Sequence, residues 1–295
     1  MFKGVGVALI TPFCKDGNID FAALGWLIDQ MIESGVDFLV PCGTTGESAT
    51  LSHSEHNKVI RFTVERAGGR VPVMAGTGSN NTIEAVELTR IAKENGADAA
   101  LVVSPYFNRP GPNGMLAHYR RIADVGLPIF LYDIPKRTGE AVPTVVIKRL
   151  AAEGVIVGLK WASGDKDQLI ELIDYLPKEF IALSGDDALT LDAMELGAKG
   201  VISVAAHVFP EKVKEMCDLA TSRDFEAARF VHEHLLPIFE ALFIEVNPQP
   251  VKEALAMMYP AIVLSVFRLP MVPLRQNSHC ALAQVLRDTY GLAID

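Results

Sequence analysis

Cysteine is scarce in this chain of 295 residues, and the four that occur do not cluster. Cys14, Cys42, Cys217 and Cys280 lie far apart and form no C-x-x-C pair, which argues against a zinc ribbon or a disulfide scaffold and fits a reducing compartment. Aromatic residues make up only 7%, so the core has to be aliphatic. With 27 Lys and Arg against 36 Asp and Glu, the net charge is -9 and no basic stripe is available for a phosphate backbone. Nucleic acid is therefore not an expected partner. No apolar run approaches the roughly 18 residues of a membrane span. The run Val5-Gly6-Val7-Ala8-Leu9-Ile10 is too short for a signal h-region and leads into Thr11-Pro12 without a small-residue cleavage site. A cytoplasmic protein without a membrane partner is the expectation.

What the chain does have is alternation. Short aliphatic runs recur at Val5–Ile10, Phe38–Cys42, Val71–Ala75, Ala99–Val103, Ile129–Tyr132, Val155–Lys160, Phe180–Leu183 and Gly200–Val204. Helical patterns separate them, such as Asp20–Ser34 with Asp20 as cap and Gly35 as stop, and Ser54–Ala67 with Ser54 as cap. Continuous apolar strands alternating with helices predict parallel strands covered by the helices, and eight such units predict a (β/α)8 TIM barrel. A doubly wound open sheet is the competing α/β architecture. It would be favoured by a dinucleotide fingerprint, and Gly76-Thr77-Gly78 lacks the third glycine. From about Phe209 onward no strand pattern appears, while Glu211–Ala220 and Phe225–Phe243 read as amphipathic helices. The expected division is a catalytic barrel over 1–224 and a C-terminal helical extension over 225–295.

In such a barrel the carboxyl ends of the strands converge on one mouth. Lys160 ends the sixth run, where apolar neighbours disfavour its charged form and lower its pKa from about 10.4 toward the roughly 7–8 useful for attack on a carbonyl. Taken alone, a lysine at a strand end is more often a surface residue. The other strand ends supply a glycine-rich turn with two hydroxyls, Gly43-Thr44-Thr45-Gly46, a phenol at Tyr132 and a guanidinium at Arg137. An amine, a proton shuttle and two anion-binding groups suit carbanion chemistry through an imine. Each has a blander reading: Tyr132 as a core tyrosine, Arg137 as a loop charge, Thr44 and Thr45 as turn caps; Asp186 and Asp187 could be read as metal ligands, but the next helix starts there and capping is the expectation. The spacing His53-x-x-His56 puts two imidazoles on one helical face, but no third ligand is in view. Neither a metal nor a cofactor is expected.

The motifs Gly43-Thr44-Thr45-Gly46-Glu47-Ser48, Pro105-Tyr106-Phe107-Asn108-Arg109-Pro110, Tyr132-Asp133-Ile134-Pro135-Lys136-Arg137-Thr138-Gly139, Gly158-Leu159-Lys160, Leu183-Ser184-Gly185-Asp186-Asp187, Gly200-Val201-Ile202-Ser203-Val204, Asn247-Pro248-Gln249-Pro250-Val251-Lys252 and Arg268-Leu269-Pro270 together run nearly end to end. In them the chain resembles the 4-hydroxy-tetrahydrodipicolinate (dihydrodipicolinate) synthase family of the pyruvate-dependent class I aldolases, the superfamily that includes N-acetylneuraminate lyase. The resemblance implies an imine between Lys160 and pyruvate, a carboxylate held by Thr44 and Thr45, the main-chain carbonyl of Ile202 facing the site, proton transfer by Tyr132, and Arg137 for the carboxylate of aspartate semialdehyde. It places the reaction in lysine and diaminopimelate synthesis. It further implies an L-lysine effector site at Ser48, Ala49, His53, His56, Asn80, Glu84 and Tyr106, and a homotetramer built as a dimer of tight dimers.

Four positions depart from the family pattern. Phe107 stands where a second tyrosine usually crosses the tight dimer interface to complete a proton relay with Thr44 and Tyr132. Asp133 replaces a frequent asparagine, Trp161 a frequent glutamate and His207 a frequent asparagine. These leave two alternatives open: a pyruvate-dependent aldolase acting on a different aldehyde, of the 2-oxo sugar acid type, and a paralogue that binds pyruvate or lysine without turnover.

Overall fold

A computed structural model describes residues 1–292 and 294. The apolar runs form β1 (Gly4–Ala8), β2 (Phe38–Val40), β3 (Met74–Gly76), β4 (Ala99–Val103), β5 (Ile129–Asp133), β6 (Gly158–Trp161), β7 (Ile181–Ser184) and β8 (Gly200–Ser203). The intervening segments form α1 (Phe21–Glu33), α2 (His53–Ala67), α3 (Thr82–Glu94), α4 (Pro112–Ala123), a single turn α5 (Pro135–Thr138), α6 (Thr144–Ala152), α7 (Lys166–Tyr175), α8 (Thr190–Leu196) and α9 (Pro210–Thr221). The chain continues with α10 (Phe225–Ala241), α11 (Gln249–Met258) and α12 (Gln276–Gln284). All ladders are parallel, in the order β2-β1-β8-β7-β6-β5-β4-β3, and a parallel bridge between Leu39 and Val73 joins the outermost strands. The sheet thus closes into the (β/α)8 barrel. No helix among the described residues is long and apolar enough to cross a membrane.

Only β4 keeps the expected bounds, and in β2, β3 and β6 the difference has a local reason. The second stops at Val40 because Pro41 has no N–H to give a ladder and Cys42 turns left-handed, with φ 57°. The third begins only at Met74, beyond Pro72, whose carbonyl accepts from the Leu39 N–H. The sixth begins at Gly158, because the amides of Val155 and Ile156 both turn back onto the Leu150 carbonyl and finish α6. The cap of α2 is Ser52 rather than Ser54. Ser52 has Glu55 three residues on, so its hydroxyl and the Glu55 carboxylate satisfy each other's backbone N–H in a capping box.

Strand alternation sorts the core into two layers. Phe38 and Val40, Ala99 and Leu101, and Phe130 and Tyr132 point into the barrel with Met74, Leu183 and Ile202. Leu39, Ala100 and Leu131 point outward to a larger aliphatic layer under the helices. Gly6 and Gly158 make room for the inner rings, since a Cβ would lie 2.1 Å from the Phe38 ring and 2.2 Å from the Phe130 ring. The Phe2 ring meets both rings edge-on, at centroid distances of 5.3 and 5.4 Å. Each such buried ring contributes roughly 1.5–3 kcal/mol through lost water contact. Residues of α10, α11 and α12 belong to the same outer layer. Between α11 and α12 the chain passes the segments that follow β1 and β2, where Arg268 donates to the Gly17 and Thr50 carbonyls and pairs with Glu55.

Candidate active site

Lys160 sits on β6 between Leu159, which faces the helices, and Trp161. Its inward direction follows from its register beside Tyr132 on β5 and Leu183 on β7, both inner-layer residues. The lysine is 6% exposed, and its Nζ lies 4.4 Å from the centre of the Tyr132 ring. Burial brings its pKa down to about 8; Asp187 opposes that shift, and Arg137 adds to it. Gly185 lets the stem pass, because a Cβ there would lie 2.8 Å from Lys160 Cε and from the Ala162 methyl.

Tyr132 is buried, and desolvation pushes its phenol up to about 12; Arg137 and a hydrogen bond with Thr44 oppose the shift. The phenol therefore carries its proton at neutral pH. The turn after β2 uses the amides of Gly46, Glu47 and Ser48 for its own bonds to Thr44 and Gly43 carbonyls. Those of Gly43, Thr44 and Thr45 have no protein acceptor among the described residues, so they are not used up within the protein, and the Thr45 hydroxyl accepts from Asn247. Arg137, on α5, is exposed and donates to the Asn247 carbonyl at 3.0 Å. The Asn247 amide donates to Thr45 Oγ1 at 2.9 Å, and its Oδ1 is buried without a partner. Ile202 is buried on β8, paired with Gly6.

A cavity of about 560 Å³ adjoins these groups, with Thr44, Arg137, Thr138 and Asn247 in its wall together with Ser48, Ala49, His53, His56, Glu84 and Tyr106. Lys160 and Tyr132 are not among its wall residues. Two of its wall residues, Thr44 and Arg137, act on the Tyr132 phenol. Six of the seven expected effector residues line it. The seventh, Asn80, donates to the Tyr106 carbonyl at 3.2 Å. His53 and His56 do not converge on a common point: His53 Nε2 pairs with Glu84 at 2.7 Å, while His56 Nε2 bonds the Gly76 carbonyl at 2.8 Å. Among the described residues no three His, Cys, Asp or Glu side chains are grouped to hold a metal ion.

Asp186 and Asp187 do not cap the next helix. α8 starts at Thr190, and its cap residue Leu189 makes no side-chain bond. Asp187 is instead buried beneath β8, accepting from Ser203 Oγ at 2.5 Å and from the amides of Val204 and Ala205 at 3.0 Å each. Of the departing residues, His207 is structural: it accepts the Ile10 amide at Nε2, holds Val204 O at Nδ1, and burial keeps it neutral, with its pKa down to about 4. Asp133 is fully buried and accepts from the Val142 amide and more distantly from Gln168; desolvation raises it to about 6. Trp161 packs in the outer layer with its indole N–H unpartnered. Phe107 is 92% exposed at the left-handed φ of 67°. Asn247 and Lys252 lie in one of the family motifs without a role that the sequence assigns; the sequence signal for Lys252 is a lone lysine in the stretch Gln249–Met258.

An eight-stranded parallel barrel with a desolvated amine beside a protonated phenol at the carboxyl ends of its strands fits one class, the lysine-based barrel enzymes. Within it the chain belongs to the dihydrodipicolinate synthetase family, whose model matches residues 1–289. It is 47% identical over 293 residues to the 4-hydroxy-tetrahydrodipicolinate synthase of Syntrophus aciditrophicus (strain SB), covering 99% of each. Among solved structures it superposes on dihydrodipicolinate synthase from Aquifex aeolicus with a TM-score of 0.97 at 46% identity, covering 100% of both chains. The chloride-inhibited enzyme from Acinetobacter baumannii complexed with pyruvate gives 0.96 at 41% identity, covering 99% of this chain and 100% of that one. The enzyme from Cyanidioschyzon merolae with lysine bound gives 0.95 at 37% identity, covering 99% of each.

Proposed function

We propose that this chain condenses pyruvate with L-aspartate 4-semialdehyde to 4-hydroxy-tetrahydrodipicolinate, in lysine and diaminopimelate biosynthesis. The observation that carries the reading is Lys160, a buried amine with its pKa down to about 8 against the face of a protonated phenol. The neutral amine adds to C2 of pyruvate and water leaves, giving an imine. Loss of a proton from the methyl carbon gives an enamine, which bonds to the aldehyde carbon of the second substrate. Tyr132 protonates the new alkoxide and exchanges protons with Thr44. The acceptor's amino group then adds to the imine carbon, closes the ring and expels Lys160 as free amine. Thr44 and Thr45 hold the pyruvate carboxylate, a role supported by the three unused amides of their turn, with the Ile202 carbonyl beside it. Arg137 clamps the second carboxylate.

L-Lysine binds at Ser48, Ala49, His53, His56, Asn80, Glu84 and Tyr106 as a feedback inhibitor; the single cavity shared with Thr44 and Arg137 supports that assignment. Residues 1–224 are assigned as the catalytic barrel and 225–295 as its helical extension, in a cytoplasmic homotetramer made of two tight dimers. Exposed Ile83, Tyr106 and Phe107 support a partner at the mouth. Borohydride reduction in the presence of pyruvate tests the chemistry: a stable adduct is expected on Lys160 and none in Lys160→Ala. Turnover with L-aspartate 4-semialdehyde tests the acceptor. An adduct on another lysine, or no turnover with that aldehyde, would reject the corresponding part.

A further inference from the structure

At the turn assigned to the pyruvate carboxylate lies a charge pair that the reaction itself does not use. Lys252 Nζ and Glu47 Oε1 are 2.6 Å apart, with side chains 0% and 1% exposed. Both charges have left water completely, and a pair so placed is seldom more stabilising than well-packed apolar residues of the same volume. Stability alone is therefore a poor reason for it.

The surroundings suggest another reason. Glu47 ends that turn in the left-handed region, with φ 51°, which disfavours a residue with a Cβ unless its neighbours fix it. They do. Lys252 holds one carboxylate oxygen and donates as well to the Thr11 carbonyl at 3.0 Å; the Arg268 amide approaches the other oxygen at 3.5 Å. The Thr11 hydroxyl in turn donates to the Gly46 carbonyl at 2.7 Å. The turn is thus pinned at two successive residues, Gly46 and Glu47, while the amides of Gly43, Thr44 and Thr45 stay unused. The lysine stands over the Phe13 ring at 4.2 Å, so it has no polar alternative to this geometry on that side.

We infer that the Lys252–Glu47 pair is a positioning device for the pyruvate carboxylate. By holding Glu47 in its left-handed conformation, the pair aims the amides and hydroxyls of Thr44 and Thr45 at one point. The inference rests on the reading of this turn as the pyruvate cradle. It assigns the C-terminal helix α11 a part in substrate binding although Lys252 touches no substrate.

The test measures borohydride trapping with pyruvate alone, so the acceptor does not enter. In the charge-free double variant Lys252→Met/Glu47→Met, the half-saturating pyruvate concentration should rise about tenfold or more, the scale of one lost charge-assisted hydrogen bond. The trapping rate at saturating pyruvate should change less than about threefold, and the thermal midpoint should stay near that of the parent, as expected when an apolar pair replaces a buried ionic one. A folded double variant with unchanged half-saturation overturns the inference. If the double variant does not fold, Glu47→Gln is judged by the same measure. Thr45→Ala separates the two layers of argument. If it raises half-saturation while the double variant does not, the positioning role fails alone; if it has no effect, the cradle reading fails and the inference with it.

Discussion

Lys160 and Tyr132 are register partners on adjacent strands, with the amine 4.4 Å from the centre of the phenol ring. The pairing buries the amine and the phenol together, and burial acts oppositely on the two pKa values. It takes the lysine down to about 8 and the tyrosine up to about 12, so the phenol is uncharged at neutral pH and the lysine's neutral fraction is raised. About one lysine in ten is then the free amine at pH 7, against fewer than one in a thousand for a solvated lysine.

The pH dependence of imine formation follows. Pre-steady-state adduct formation, quenched into excess borohydride, should climb from pH 6 and level off above about pH 8.5. Asp187 is the largest charge favouring the ammonium form. Asp187→Asn should therefore shift the profile to lower pH. A rate still climbing at pH 10 would show that Lys160 is not tuned by its site.

Asp133 makes a prediction about stability. Its carboxyl has a folded-state pKa of about 6 against 3.8 unfolded, so the folded chain binds more protons between those values. Stability should consequently be lost as pH rises through about 4 to 6, by about 3 kcal/mol once both states are ionised. Asp133→Asn removes that dependence while keeping an oxygen for the Val142 amide. The variant should gain on the parent in thermal midpoint at pH 8 relative to pH 5. Equal differences at the two pH values would mean that Asp133 is not the titrating group.

The barrel was legible because its strands are buried on both sides, which writes them as unbroken aliphatic runs whatever their partners. Lys160 was legible for a related reason: an amine closing such a run has few places to go. Strand limits were less so. Val155-Ile156-Val157 is as apolar as a strand, yet Val155 and Ile156 finish the turn of α6, and only the bonds to Leu150 reveal it. Asp187 looked like a helix cap since its real partners, Ser203 to Ala205, lie on another strand end. The Asn247–Thr45 and Lys252–Glu47 contacts join residues about two hundred positions apart, and no local pattern encodes them.

Phe107 tests whether the mouth is completed by another subunit. Its ring is 92% exposed in the single chain, so Phe107→Tyr should leave the stability of the subunit unchanged. If the ring enters a neighbour's site, a hydroxyl there supplies the missing end of the Thr44–Tyr132 relay. Turnover should then rise, by less than the 10²–10⁴-fold of a full general acid or base because water already fills in. The gain should vanish in any variant that sediments as a monomer. Unchanged or lower turnover in the assembled protein would show that the chain has compensated for the phenylalanine elsewhere.

Glu84 tests the effector site. Its carboxylate meets Ser79 and His53, and the Ser79 bond leads the His53 contact in holding its pKa low, so it is an anion at neutral pH. His53 is 69% exposed, a partner that an incoming ammonium group can displace. Glu84→Gln keeps the shape and removes the charge, which should raise the L-lysine concentration for half-inhibition at least about tenfold, the scale of a charge-assisted bond. Steady-state turnover titrated with L-lysine reads this directly. Equal inhibition of parent and variant would move the effector's ammonium elsewhere, and no inhibition of the parent at millimolar L-lysine would remove the effector site altogether.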